Sequence, residues 1–194
     1  MSKRNAILAA ATRLFSRNGF QGTAMAELSS LTGAATGTIF HHFKNKEDLF
    51  LHVLKDVKES ILDQFDRHQY TRREQSGIEM VADTVAFYLK LAGTMEDQFL
   101  ILHRYYPYRQ ENAGPGCRRQ LESIYTGLLD FFEAGIQRGL LDGSVKVDAP
   151  RKTAIVLFAM VDGVVRLNAS RPSDIDALSD SLISACRRLL TDSP

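Results

Sequence analysis

Apolar side chains recur at intervals of three and four residues along almost the whole chain. That period belongs to one face of an α-helix. Few segments alternate apolar with polar residues, so a sheet is not expected, and no internal repeat or low-complexity tract is present. The fold class expected is all-α. The first helix should span residues 3–18, with Ile7, Ala11, Leu14 and Phe15 inward and Gly19 at its end. Thr23 stands as the N-cap of a short helix carrying Met25, Leu28 and Leu31. Gly33 separates it from a second short helix over residues 35–43. A longer helix opens near Lys46, with Leu49, Phe50, Val53, Leu54, Val57 and Ile61 inside. Five more follow over residues 74–92, 95–109, 115–139, 149–169 and 173–190, separated by Gly-, Pro-, Asn- and Ser-containing joints.

Composition narrows the class. With 194 residues the chain can build one large domain or a small domain joined to a larger one. Its 44% hydrophobic content does not fit a disordered chain. No apolar run approaches the ~18 residues of a membrane helix, and the N-terminus lacks a signal peptide's apolar core. Cys117 and Cys186 have no metal-like spacing, and reduced thiols in a cytoplasmic chain are expected. Cys117 beside Arg118 and Arg119 reads as an exposed thiol with a lowered pKa, and Cys186 as a small packed hydrophobe. Net charge is only +1, but it is unevenly spread. The first 50 residues carry Lys3, Arg4, Arg13, Arg17, Lys44 and Lys46 against Glu27, Glu47 and Asp48, and the remainder is slightly acidic. A basic head on an acidic body suits contact with nucleic acid at one end.

The stretch GAATGTIFHHFKNKEDLF, residues 33–50, sharpens this. Two short helices joined through a glycine turn form a helix-turn-helix pattern. The second helix must enter the major groove, so its outer N-terminal face should carry small polar residues. Thr36, Gly37 and Thr38 meet that need. Ile39 and Phe43 would pack inward, and Ala34 and Ala35 would allow close backbone approach. His41 and His42 do not make a metal site with His52, because adjacent helical residues point ~100° apart. No metal and no cofactor is expected. No nucleophile–base–acid grouping and no phosphate loop is present, so an enzyme is not expected either.

Residues 7–50 resemble the N-terminal DNA-binding domain of TetR-family transcriptional regulators. The similar features are ILAAA…LF, GF..T.M..L, TG…GTIF.HF and the exit KNKEDL. The resemblance implies a three-helix DNA-binding domain over residues 1–47 and a larger helical domain for ligand and dimerisation over 48–194. It places Thr23 and Lys46 at phosphate-binding positions and Thr36 and Thr38 on the base-reading turn. It places Phe40, His41 and His42 where backbone or thymine methyls are touched. The partner implied is a double-stranded operator of near-palindromic sequence. The sequence departs from the family where Ala34-Ala35-Thr36 replaces the common Val-Ser-Lys and Phe40 replaces the usual tyrosine. These changes remove a helix cap and two polar contacts.

The body carries further candidates. Phe99, His103, Arg104, Tyr106 and Arg109 form its richest aromatic and basic stretch. In the family this region borders a ligand cavity; the alternative is a helix end packed by aromatics. Tyr125 is core or cavity wall, and Asp162 is a paired buried group or a ligand contact. A small-molecule effector, largely apolar, is the partner this implies. The segment TAIVLFAMVDGVVRLNA is apolar nearly all round. In the last helix Ile175, Leu178, Leu182, Ala185 and Leu189 make a narrow seam. Two such helices need more apolar cover than one subunit gives, so a homodimer through a four-helix bundle is expected, with Gly163 at the close crossing.

Overall fold

The computed structural model describes residues 2–72, 74–104, 114–170 and 175–191, the side chains of 104, 168–170 and 175–177 excepted. Among the described residues the chain is helical throughout, with no strand. The elements are α1 (Lys3–Gly22), α2 (Met25–Thr32), α3 (Thr36–His42), α4 (Lys46–Tyr70), α5 (Gly77–Thr94), α6 (Glu96–Arg104), α7 (Pro115–Asp142), α8 (Pro150–Ser170) and α9 (Ile175–Thr191). None of them is long and apolar enough to cross a membrane.

Two compact units emerge. Unit 1 comprises residues 1–60 and 95–124, and unit 2 comprises 61–94 and 125–194. The boundary expected at 47/48 therefore falls inside unit 1. The reason is α6, which packs on α1, where the Ser16 hydroxyl donates to Asp97 Oδ1 at 2.7 Å.

In unit 1, Ser2 caps α1 by accepting from the Asn5 N–H at 3.2 Å. Ile7, Ala11, Leu14 and Phe15 are buried as their spacing requires. Gly19 breaks the helix with φ 75°, a conformation that disfavours any side chain. The kink turns Phe20 onto Phe15 and Phe50, with ring centroids 5.9 and 5.4 Å away. At the start of α4, Asn45 accepts from the Asp48 N–H and Asp48 accepts from the Lys44 N–H, at 2.8 and 3.0 Å. The first bond satisfies an N–H that the first turn would leave open, and the second ties the residue before the cap to the helix start. Leu49, Phe50, Val53, Leu54 and Val57 are fully buried.

Unit 2 is organised by a close crossing of α5 and α7. Gly77, Gly135 and Gly139 leave no room between the two backbones. The expected end of α7 at Gly139 is corrected: the helix runs to Asp142, because Gly139 serves packing rather than termination. Asp142 and Ser144 then accept from the Gly77 and Ile78 N–H groups at 2.7 and 3.1 Å, so the start of α5 lies at Gly77 rather than near residue 74. Cys117, in unit 1, is 1% exposed, not exposed as expected. Burial, with the nearby Glu47 charge, pushes its thiol up to about 11, so it stays protonated and unreactive at neutral pH. Cys186 is likewise buried and raised to about 11.

Candidate nucleic-acid interface

Hydrogen bonds from small hydroxyls fix the turn between α2 and α3. Gly33 adopts φ 65° at the end of α2. The Thr32 hydroxyl donates to the Leu28 carbonyl at 2.7 Å and accepts from the Ala34 N–H at 3.3 Å. The Ser29 hydroxyl donates to the Ala34 carbonyl at 2.7 Å. These three bonds went unread in the sequence, although Ser and Thr in the last turn of a helix are the signal for them. Leu28, Ile39 and Phe43 close the core beneath the turn. The N-cap of α3 is Ala35, whose side chain makes no capping bond.

The inward anchors decide what α3 shows to solvent. With Ile39 and Phe43 buried, Thr36, Gly37, Phe40 and His41 are exposed, and Thr38 and His42 are half-buried. The His41 and His42 rings lie 5.5 Å apart at 66°, and the His42 ring lies 6.3 Å from that of Phe43. Basic side chains flank the helix. The Arg4 guanidinium sits 5.4 Å above the Phe43 ring. The Lys46 ammonium lies 4.9 Å from the Phe20 ring and donates to the Gln21 carbonyl at 3.3 Å. Partial burial lowers its pKa.

Thr23 does not take the place expected of it. It is 2% exposed, and its hydroxyl donates to the Gly19 carbonyl at 2.7 Å. It closes the end of α1, while Ala24 is the N-cap of α2. The kink at Gly19 draws the threonine inward, so its hydroxyl is spent on the chain itself.

A partly open cleft of about 190 Å³ lies beside the turn, lined by Lys3, Ala6, Ile7, Thr38 and residues 32–35. Small side chains at Ala34 and Ala35 leave it unfilled. Ala34→Val should occupy part of this space and raise stability by about 0.5–1 kcal/mol. A lower melting temperature in that variant would show that the turn cannot take a β-branched residue.

The candidates in the body separate. Phe99 and His103 belong to unit 1, with rings 6.1 Å apart and Phe99 2% exposed. Tyr106, Arg109 and the side chain of Arg104 lie outside the described residues. Tyr125 and Asp162 belong to unit 2 and share one network. Asp162 accepts from the Tyr88 hydroxyl at 2.7 Å and from Arg166 Nε at 2.6 Å, and Arg166 also donates to the Tyr125 oxygen at 3.0 Å. Of the two readings of Asp162, the structure contains the paired buried group. Burial, with the neighbouring Asp162 charge and hydrogen bond, drives the Tyr88 hydroxyl well above its ordinary pKa, so it remains a donor. Asp162→Ala should cost about 2–3 kcal/mol, since it removes the buried acceptor of the Tyr88 hydroxyl and the counter-charge beside Arg166. Denaturant midpoints measure this; a loss below about 0.5 kcal/mol would mean that water replaces the carboxylate. Among the described residues, no group of three or more His, Cys, Asp or Glu side chains could hold a metal.

The expected dimer residues divide along the α9 seam. Leu182 is 8% exposed and packs inward with Cys186 and Leu190, so it belongs to the protomer's own core. Leu178 is 49% exposed, and Ala185 and Leu189 are half-buried. The side chain of Ile175 lies outside the described residues. A four-residue step turns a helix by 40°, so 182, 186 and 190 form one flank of the apolar arc and 178, 185 and 189 the other. Gly163 on α8 is half-buried, and a methyl added to it would meet nothing.

Comparison with known proteins agrees with this geometry. The family model described as bacterial regulatory proteins, tetR family, matches residues 7–53, which hold the turn, α3 and the start of α4. The HTH-type transcriptional regulator QacR of Staphylococcus aureus is 26% identical over 169 residues, covering 85% of this chain and 85% of its own. Among solved structures, the regulator FadR of Bacillus subtilis, in complex with stearoyl-CoA, superposes with a TM-score of 0.79 and 21% identity, over 98% of this chain and 99% of its own. A TetR-family transcriptional regulator from Agrobacterium tumefaciens gives a TM-score of 0.81 with 19% identity, over 98% of each chain. With the turn, the exposed α3 and the helical body in place, residues 7–53 are a helix-turn-helix domain of the tetR family, and the chain as a whole is similar to transcriptional regulators of that family.

Proposed function

We propose that the chain is a ligand-responsive repressor that binds a near-palindromic operator as a homodimer in the cytoplasm, and that it acts by binding rather than by catalysis. The observation that carries the reading is the exposure of Thr36, Gly37, Phe40 and His41 on a helix whose opposite face is locked by Ile39 and Phe43. Residues 1–47 form the DNA-contacting part in this reading, and residues 48–194 serve dimerisation and effector binding. Exposed Ile155, Val156 and Leu167 on α8 and Leu178 on α9 supply an apolar face for a second subunit.

The effector is a largely apolar molecule. Asp162 is the acidic group a cation would seek in this apolar helix, and it is already neutralised by Arg166. That the B. subtilis regulator binds stearoyl-CoA supports an acyl effector here. Helices α4 and α7 both begin in unit 1 and end in unit 2, and α4, which opens at Lys46 directly after α3, is the one through which occupancy would act. A hundredfold preference of the effector for the DNA-incompetent form is worth about 2.7 kcal/mol.

Lys46 is the residue that tests the DNA contact. Lys46→Ala should weaken binding to all duplexes about equally and reduce the salt slope by ~1. Fluorescence anisotropy across a salt series measures both. A change in sequence preference with an unchanged slope would take Lys46 off the phosphate. A promoter–reporter assay separates repression from the alternatives, activation or effector-independent repression.

A further inference from the structure

The base-reading surface of this chain is made mainly of carbon. Helix geometry puts Thr36, Gly37, Phe40 and His41 on one arc, and all four are exposed. Ala35, the N-cap, is exposed beside them. The helix sequence TGTIFHH contains no arginine, lysine, asparagine or glutamine. It therefore lacks the forked donors that grip guanine O6 and N7, and the carboxamide that grips adenine N6 and N7. What it offers are the methyls of Ala35 and Thr36 and the ring of Phe40, which is 43% exposed. The base-edge group in the major groove that suits such surfaces is the 5-methyl of thymine. The Thr36 hydroxyl and the His41 ring each add hydrogen bonds that more than one base can satisfy. The nearby cations lie on flanking elements: Lys3 and Arg4 on α1, Lys44 before α4 and Lys46 at its start. Cations outside the groove-entering helix hold phosphates and set register, but carry no base identity.

We infer that each operator half-site is read chiefly through thymine methyl groups seated against Ala35, Thr36 and Phe40, and that no guanine is read in a bidentate way. The inference rests on the proposed role of α3 as the helix that enters the major groove. It names what that helix recognises.

The test uses the full-length protein and duplexes selected by it from a random library. The selected half-sites should place thymines opposite α3. Uracil in place of such a thymine removes only the methyl, and each replacement should weaken binding about fourfold, the value of one buried methyl group. Replacing guanines by 7-deazaguanine, which lacks the N7 acceptor, should leave affinity within about twofold. Thr36→Ser keeps the hydroxyl and removes a methyl; with this variant, uracil at one thymine should cause no further loss. If uracil is tolerated at every position, or one 7-deazaguanine abolishes binding, the methyl reading is overturned while DNA binding stands. If the library yields no preferred sequence, the proposed function fails and the inference goes with it.

Discussion

Val156→Glu is expected to give a folded, helical monomer whose affinity for a two-half-site operator has fallen about 10²–10⁴-fold. In the isolated protomer Val156 is 47% exposed, so a glutamate there stays hydrated and the subunit folds. The same outer side of α8 carries Ile155 at 48% and, further along, Leu167 at 74% exposure, with open space over Gly163. Covered by a second copy, that surface becomes interior. A two-fold interface presents every substitution twice, so two carboxylates would lose water in one apolar contact. Without the dimer each head binds a half-site alone, and the second contact no longer comes at the high effective concentration that tethering provides. Leu182→Glu would not isolate this effect, because Leu182 is part of the protomer's core. Light scattering, circular dichroism and operator titration on one preparation separate assembly, folding and binding. A Val156→Glu protein that remains dimeric would move the interface away from α8.

Much of the head was legible because local rules govern it. The 3–4 spacing that pointed Ile7, Leu14, Leu28, Ile39 and Phe43 inward is the spacing the structure buries. Thr23 shows where local reading stops. Its sequence position suits a cap, but the kink at Gly19 rotates it under the chain. The kink depends on Phe20 reaching Phe50, a contact thirty positions away in the sequence. The body was less legible for the same reason. Asp162 could be recognised as a polar residue in an apolar helix, but its partner Tyr88, and Tyr125 that binds its other partner Arg166, come from other helices. Cys117 beside two arginines read as an exposed thiol because neighbours in sequence were taken for neighbours in space. The α9 seam was read as one face, and the structure divides it, with Leu182 on the buried flank beside Cys186 and Leu190 and Leu178 exposed.

Gly77→Ala and Gly93→Ala, one change at two places on α5, should act in opposite directions. In an ordinary helical setting alanine gains up to about 1 kcal/mol over glycine, because the glycine backbone loses more freedom on folding. Gly93 has nothing within 4 Å of an added methyl, so Gly93→Ala should be stabilising by a few tenths to about 1 kcal/mol, less if the last turn frays. At Gly77 the methyl would overlap the backbone of Gly139 and lie 2.6 Å from the Gly135 carbonyl oxygen. Main-chain atoms of a packed helix cannot rotate away as a side chain can, so α5 and α7 must separate. That movement would stretch the bonds from the Gly77 and Ile78 N–H groups to Asp142 and Ser144. It would also loosen Val81, which packs on Gly135. Overpacking together with lost helix-start bonds should cost about 3–5 kcal/mol, a large fraction of the stability of a domain this size. Paired denaturant melts of the two variants read both signs against the same parent. Equal, small shifts would mean that α5 and α7 are held apart by something other than the glycine contact.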